Sequence, residues 1–380
     1  MLECIRRIGP TSRAQIARDS GLSKPTVSQA LAALERARLV RQAGRTSGGK
    51  GPTAILFELN PEAGWVVGVD VGREHVRAAV ADLGGAILGR SDERAKARTA
   101  RTLIAQIGRL ARTTAEAAGV RWRQVTVVAV GSPGVFGPEG DHPSLAHNLP
   151  GWGRQGLLDA VRRELGTEVV FENDVNLAAL GERWRGLGRG VRDFVYFHVG
   201  TGVGAGIVLD GELFRGTGGG AGEIGYLPLA AADPHDRANR RRGALEQAIG
   251  AAGVVAAARR AGMRGADLTA ASVFAAARAA DARALGVVED VGERIGLALA
   301  AIVPVLDPEL VVLGGGIGRN ADLLLPSIQR ELRALSPYRP RIEGSALGRD
   351  AELTGAVALA LDAARQRLFA RGEGRKGIAV

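Results

Sequence analysis

Two stretches of the chain repeat one pattern of apolar runs and glycine turns. Phe194 to Val199 is an apolar, β-rich run that enters a tight turn at Gly200, Gly202 and Gly204. Ile207 to Leu209 leaves that turn, and Asp210-Gly211 makes a hairpin signal. Earlier, Val66 to Val71 runs into Gly72, Val76 to Ala81 leaves, and Asp82-Leu83-Gly84-Gly85 turns the chain into Ala86-Ile87-Leu88. The two meanders lie about 130 residues apart, the spacing of an internal duplication. Each is followed by helices and further strands, which predicts a duplicated α/β architecture with a cleft between the halves, where ligands tend to sit. Glycines at such turns let backbone N–H groups face an anion such as phosphate, although a plain hairpin has the same pattern.

Ahead of the first meander the periodicity is helical and short. Met1 to Ile8 reads as a helix stopped by Gly9-Pro10, and Thr11 or Ser12 caps a second helix, Arg13 to Ser20. Gly21 turns the chain, and Ser23 caps a third helix with Pro25 in its first turn. Val27, Leu31 and Leu34 face inward, leaving Thr26, Ser28 and Gln29 near the N-terminal end, with Lys24 just ahead. Leu39 to Ala43 and Thr53 to Leu59 are strands joined by a basic glycine-rich loop with Arg45 and Lys50 at its tip. Helix, glycine turn, capped helix and basic hairpin form a winged helix-turn-helix, whose polar side chains suit base edges and whose cations suit phosphates. A small helical dimerisation module is the alternative. Asn60-Pro61-Glu62 is a short linker.

Downstream, Thr99 to Ala118 reads as a helix and Val125 to Val130 as a strand. The loop to Gly153 holds His142, His147, Asn148 and Trp152; its two histidines suit a metal less well than a solvated turn. Glu168 to Phe171 is a strand ending at Glu172-Asn173-Asp174, before a helix from Val175 to Trp184. Asp174 therefore stands where a strand ends and a helix begins, as a general base or as an N-cap. Residues 229–243 read as an irregular loop, and alanine-rich packing helices fill much of Ala244 to Pro304. Glu309 to Leu313 is a strand into Gly314-Gly315-Gly316. A last helix spans Glu352 to Leu368. The expected domains are 1–62, a first lobe 63–190, a second lobe 191–370 and a loose basic tail 371–380.

Composition narrows the class. Aromatics are 4% of the 380 residues, so the core must be built from Ala, Val, Leu and Ile. Cys4 is the sole cysteine, which excludes an intramolecular disulfide, and no apolar run nears the roughly 18 residues of a membrane span. Met1-Leu2-Glu3 does not start a signal peptide, and the expected location is the cytoplasm. Net charge is +10, and residues 1–62 carry ten Lys/Arg against five Asp/Glu, a local basic excess that hints at nucleic acid.

Taken in order, the motifs resemble the ROK family of sugar-responsive repressors and sugar kinases over nearly the whole chain. Asp70-Val71-Gly72 looks like the first phosphate motif, and Asn148 to Trp152 is similar to a loop beside the sugar. Glu172 to Asn176 looks like the segment with the catalytic aspartate, here Asp174. Gly200-Thr201-Gly202-Val203-Gly204 is similar to the second phosphate motif. Gly222-Glu223-Ile224-Gly225 and Leu245-Glu246 match sugar-contact motifs, and Leu306 through Gly314, Gly315 and Gly316 looks like the adenosine-side motif. The resemblance implies a winged helix-turn-helix followed by an actin-like sugar-kinase fold. It implies a sugar site of Asn148, Asn173, Asp174, Glu223, Tyr226 and Glu246.

Departures favour the repressor branch. Arg73 and Glu74 stand where the kinases continue with Gly and Thr, and a carboxylate there repels polyphosphate. Arg73 could instead pair with a nearby carboxylate. Tyr226 stands where a histidine usually supports zinc, and residues 229–245 contain no cysteine, so no structural zinc is expected. His235 with Asp233 and Asp236 reads as a solvated loop. The expectation is a sugar-responsive, DNA-binding regulator, a repressor of carbohydrate genes. Its partners are operator duplex DNA, a sugar effector and one or three copies of itself, with no membrane. The alternative is a sugar kinase using ATP and Mg, with Asp174 as base, phosphate contacts at Asp70, Gly72 and the glycine motifs, and a DNA-binding appendage.

Overall fold

The computed structural model describes residues 4, 5, 8–46, 53–137, 140, 142–146, 149, 151–229, 233 and 235–374. At the front, Thr11–Ser12 (β1) pairs antiparallel with Ile55–Leu59 (β3), which pairs with Val40–Arg45 (β2). The short first strand is not visible as a pattern in the sequence. Ser12 still caps the helix Arg13–Ser20 (α1), accepting the Gln15 N–H at 3.3 Å. Gly21, at φ +68°, makes the turn, and Ser23 caps Lys24–Arg36 (α2). Ile5, Ile16, Val27, Leu31, Val40 and Phe57 bury together as a core separate from the rest.

The duplication extends further than the meanders. The first large sheet has strands Trp65–Val71 (β4), His75–Asp82 (β5), Ile87–Arg94 (β6), Val125–Ser132 (β7) and Glu168–Asn173 (β8), in the order β6-β5-β4-β7-β8. The second has Phe194–Val199 (β9), Val203–Leu209 (β10), Glu212–Phe214 (β11), Leu310–Gly314 (β12) and Arg341–Gly344 (β13), in the order β11-β10-β9-β12-β13. In both, the meander is antiparallel and the last two strands add in parallel.

Ala100–Ala117 (α3) and Leu157–Leu165 (α4) cover the outer face of the first sheet. Asp174–Arg185 (α5) follows β8 and passes to the inner side. The loop expected at 229–243 contains the helix Arg237–Arg242 (α6), started by Asp236. Ala244–Ile249 (α7), Ala251–Arg260 (α8), Ala270–Arg278 (α9), Ala282–Leu306 (α10) and Ala321–Leu335 (α11) cover the outer face of the second sheet.

The last helix, Ala351–Gly374 (α12), continues past residue 370, where the loose tail was expected to begin. It crosses back to pack on α5, β4 and β7, and one buried cluster joins Val66, Ala129, Leu177, Tyr196, Val312 and Val357 from both sheets and both inner helices. The α5 and α12 backbones meet at Gly181 and Gly355: a Cβ at Gly355 would strike the Leu177 carbonyl and one at Gly181 the Ala351 carbonyl.

Candidate functional site

Where the inner ends of the two sheets face each other, the chain leaves a cleft of about 220 Å³. Its walls come from the β4–β5 turn (Gly72, Arg73), the β8–α5 junction (Asn173, Asp174), the β9–β10 turn (Thr201, Gly202, Gly204), the Gly219–Glu223 loop and Glu246 on α7.

The β8–α5 junction fixes the central carboxylate. Asn173 is the N-cap, its Oδ1 accepting the N–H groups of Val175 (2.8 Å) and Asn176 (3.2 Å), while its Nδ2 donates to the Gly134 carbonyl. This commits the Asn173 amide to shaping the junction. Asp174 is the first helical residue, so the even choice left by the sequence resolves: the cap is Asn173, and Asp174 faces the cleft. Burial, then the charges of Asp70 and Glu223, push its pKa up to about 7, against the Val175 N–H that favours the ionised form. Burial also raises Glu223 and Glu246, the first helped by the second's charge. Glu246 accepts the Val203 N–H at 3.1 Å, tying α7 to the β9–β10 turn. The cleft therefore presents three carboxyl groups whose pKa values burial raises, facing the space where the hydroxyls of a ligand would lie.

Beneath it lies a second polar layer that the sequence reading missed. Asp70 is buried and paired with Arg77, directly across the β4–β5 ladder, at 2.6 Å. Arg77 also lies 3.7 Å from Glu352, at the start of α12, and donates to the Arg349 carbonyl. Burial, then the Asp70 charge, push Glu352 up to about 8. A pair seven residues apart across a glycine turn is readable from register; Glu352, some 280 residues away, carries no local signal. The pairing partner anticipated for Arg73 is absent among the described residues, and the pair forms at Arg77 instead.

Of the sugar residues expected, the fold gathers Asn173, Asp174, Glu223 and Glu246; Asn148 lies outside the described residues. Tyr226 does not line the cleft: the turn Ile224–Tyr226 points it at α6, where its hydroxyl donates to the Arg241 carbonyl at 3.3 Å. Of the phosphate residues, Gly72, Thr201, Gly202 and Gly204 line the cleft. Asp70 is behind it, and Gly200 and Gly314 to Gly316 stand off its walls, with His198 between Gly200 and Gly315. Burial takes the His198 imidazole down to about 4, so it is neutral. Also missed was Arg215, which reaches from the second lobe to Glu172 of the first at 2.7 Å.

The front domain presents the other face. Ser23, Lys24, Thr26, Ser28 and Gln29 are all exposed at the start of α2, as is Arg45 on β2, while Lys50 lies outside the described residues. Ser23 and Thr26 bond each other at 2.8 Å and close the cap, leaving Lys24, Ser28 and Gln29 to reach outward. Asn60 ties this domain to the first large sheet. Its N–H and Nδ2 donate to the Leu39 and Arg38 carbonyls, and the next residue, Pro61, accepts the Leu83 N–H of the β5–β6 turn. Leu59 packs against both cores. Among the described residues no three His, Cys, Asp or Glu side chains cluster as metal ligands, and no helix is long and apolar enough to cross a membrane.

Comparison with known proteins matches both parts. The profile of the IclR helix-turn-helix domain fits residues 1–44 and that of the ROK family residues 66–363. The chain is similar to a xylose repressor of Caldicellulosiruptor bescii, 25% identical over 368 residues covering 92% of this chain and 91% of the relative. It is also similar to a glucokinase of Halalkalibacterium halodurans, 31% identical over 316 residues, 77% of this chain and 93% of the relative. Among solved structures, a ROK family transcriptional regulator described as a homolog of the E. coli MLC protein superposes with a TM-score of 0.82 at 23% identity, covering 98% of this chain and 96% of that one; this likeness concerns the fold.

Proposed function

The chain belongs to the ROK family, and from that premise we propose that it is a sugar-responsive DNA-binding transcriptional regulator acting as a repressor. The observation that carries the reading is the linker. Asn60 is bonded to the winged helix-turn-helix and Pro61 to the sheet whose turn and strand ends wall the cleft. A sugar that bridges Asp174 of the first lobe to Glu223 and Glu246 of the second favours one arrangement of the lobes, and the first sheet carries that choice to the DNA reader. The shift equals the difference in the sugar's affinity for the two arrangements. The repressor relative matches over nearly its whole length, DNA-binding part included, which supports the same reading.

In this reading the protein acts in the cytoplasm on operator DNA and needs no resident cofactor. Paired copies place two α2 helices in successive major grooves of a palindromic site. The test is a thermal-shift screen of sugars on the full chain, followed by release of a selected operator by the sugar that raises Tm. Glu223→Gln and Glu246→Gln should abolish release while operator affinity stays. Light scattering with and without DNA checks the pairing.

A second reading, a sugar kinase with a DNA-binding appendage, draws on the glucokinase relative and on Asp174, whose pKa of about 7 suits a general base. ATP-dependent turnover on any hexose or pentose, lost in Asp174→Asn, would establish it.

A further inference from the structure

Among the cleft walls, the first glycine turn departs furthest from a phosphate cradle. Gly72 closes it by donating to the His75 carbonyl at 2.9 Å, and Arg73 follows on the cleft side, exposed. Among the described residues lining the cleft, Arg73 is the one arginine or lysine; the other ionisable groups are Asp174, Glu223, Glu246 and the neutral His198. Its guanidinium has no ion-pair or hydrogen-bond partner among the described residues. Nor is it the counter-charge of the acids below. Asp70 is taken by Arg77, and the charges that move Asp174 are those of Asp70 and Glu223. Glu74, the next residue, does not line the cleft.

An unpartnered guanidinium at the edge of a hydroxyl-reading cleft is built to meet something the ligand brings. Its planar fork matches the paired oxygens of a carboxylate or a phosphate, and such bidentate contacts are among the strongest that side chains make. We propose that the effector is a sugar bearing a single oxyanion, a sugar monophosphate or a sugar acid, and that Arg73 binds that group. This rests on the sugar-sensing reading above and adds the charge class of the ligand. One guanidinium fork offers the paired donors that one such group accepts. A polyphosphate would set excess negative charge against Asp174 and Glu223, so the same turn that disfavours a nucleotide selects a singly modified sugar.

The test is isothermal titration of the full chain and of Arg73→Gln with matched sets: a neutral sugar, its monophosphate, its uronic acid, and inorganic phosphate alone. In one set, an anionic form should bind at least about tenfold more tightly than its neutral parent. Arg73→Gln should erase that advantage while leaving neutral-sugar affinity and Tm unchanged. Arg73→Lys, which keeps the charge and loses the fork, should fall between. Whether phosphate or uronate gains identifies the source of the anion. A neutral parent that binds as tightly as its anionic forms overturns the proposal and leaves sugar sensing standing. So does a preference that survives in Arg73→Gln, or inorganic phosphate binding as well as the sugar phosphate. If no member of any set binds, neutral or anionic, the sugar-sensing reading falls as well.

Discussion

Asp70 and Arg77 face each other across the β4–β5 ladder at 2.6 Å, the carboxylate buried and the guanidinium one-fifth exposed. The pair supports the floor of the cleft, because Arg77 also reaches the first turn of α12 through Glu352 and the Arg349 carbonyl. Removing the cation leaves a buried carboxylate without compensation. Arg77→Met is expected to cost about 3–5 kcal/mol of unfolding free energy, less in Asp70→Asn/Arg77→Met, measured by urea denaturation. Equal losses in the two variants would show that the pair is not what supports the floor.

Asp174 gives the cleft a pH signature. Its pKa rises from 3.8 to about 7 on folding, and that of Glu352 from 4.5 to about 8. The folded chain then holds protons that the unfolded chain has released. Their contribution is complete near pH 4 and is lost as pH rises through 7 to 8. Asp174→Asn, which cannot ionise, should match the parent Tm at pH 4 and exceed it progressively up to pH 7, with a constant gap above. A gap independent of pH would contradict the raised pKa.

The exposed start of α2 predicts separable effects on DNA. On an operator selected from random duplexes, Gln29→Ala should weaken binding by about 1–3 kcal/mol and relax the preference at one base position. Lys24→Ala should weaken all sequences alike and lower the salt slope by about one. Sugar affinity should not move in either. Fluorescence anisotropy at several salt concentrations reads both effects.

Asn60 is the joint between reader and sensor. Asn60→Ala removes the bond to the Arg38 carbonyl, worth about 1 kcal/mol in stability. Operator affinity and sugar affinity should each persist, while the factor by which sugar reduces operator affinity shrinks toward one. Full coupling in this variant would move the joint elsewhere.

Gly355 is set by contact rather than by flexibility. Its missing Cβ makes room for the Leu177 carbonyl of α5, so Gly355→Ala should cost about 3 kcal/mol or more. Gly286→Ala, where nothing lies within 4 Å of the added carbon, should be neutral or slightly stabilising in the helix α10.

What the sequence carried was local or repeated. Ser23, Pro25 and the Val27–Leu31 spacing place α2, and the paired glycine meanders announce two sheets, because caps, periods and turns act within a few residues. The Asn173-Asp174 junction was legible as a strand end meeting a helix start. Tyr226 was not, since a single 3-10 turn decides which wall it faces, and the sequence does not encode that turn's direction. The Asp70–Arg77–Glu352 layer and the Arg215–Glu172 bridge depend on segments brought together by the tertiary fold, where spacing carries no information. The return of α12 to the first sheet belongs to the same class.

That return has a consequence for biosynthesis. Until Ala351–Gly374 has left the ribosome, the inner face of the first sheet around Val66 and Ala129 lacks the helix that covers it. The small DNA reader, whose core draws on residues between Ile5 and Leu59, can settle before that helix appears. The sensor must wait until that helix emerges, and chains truncated before it should aggregate or be degraded rather than act as half-working switches.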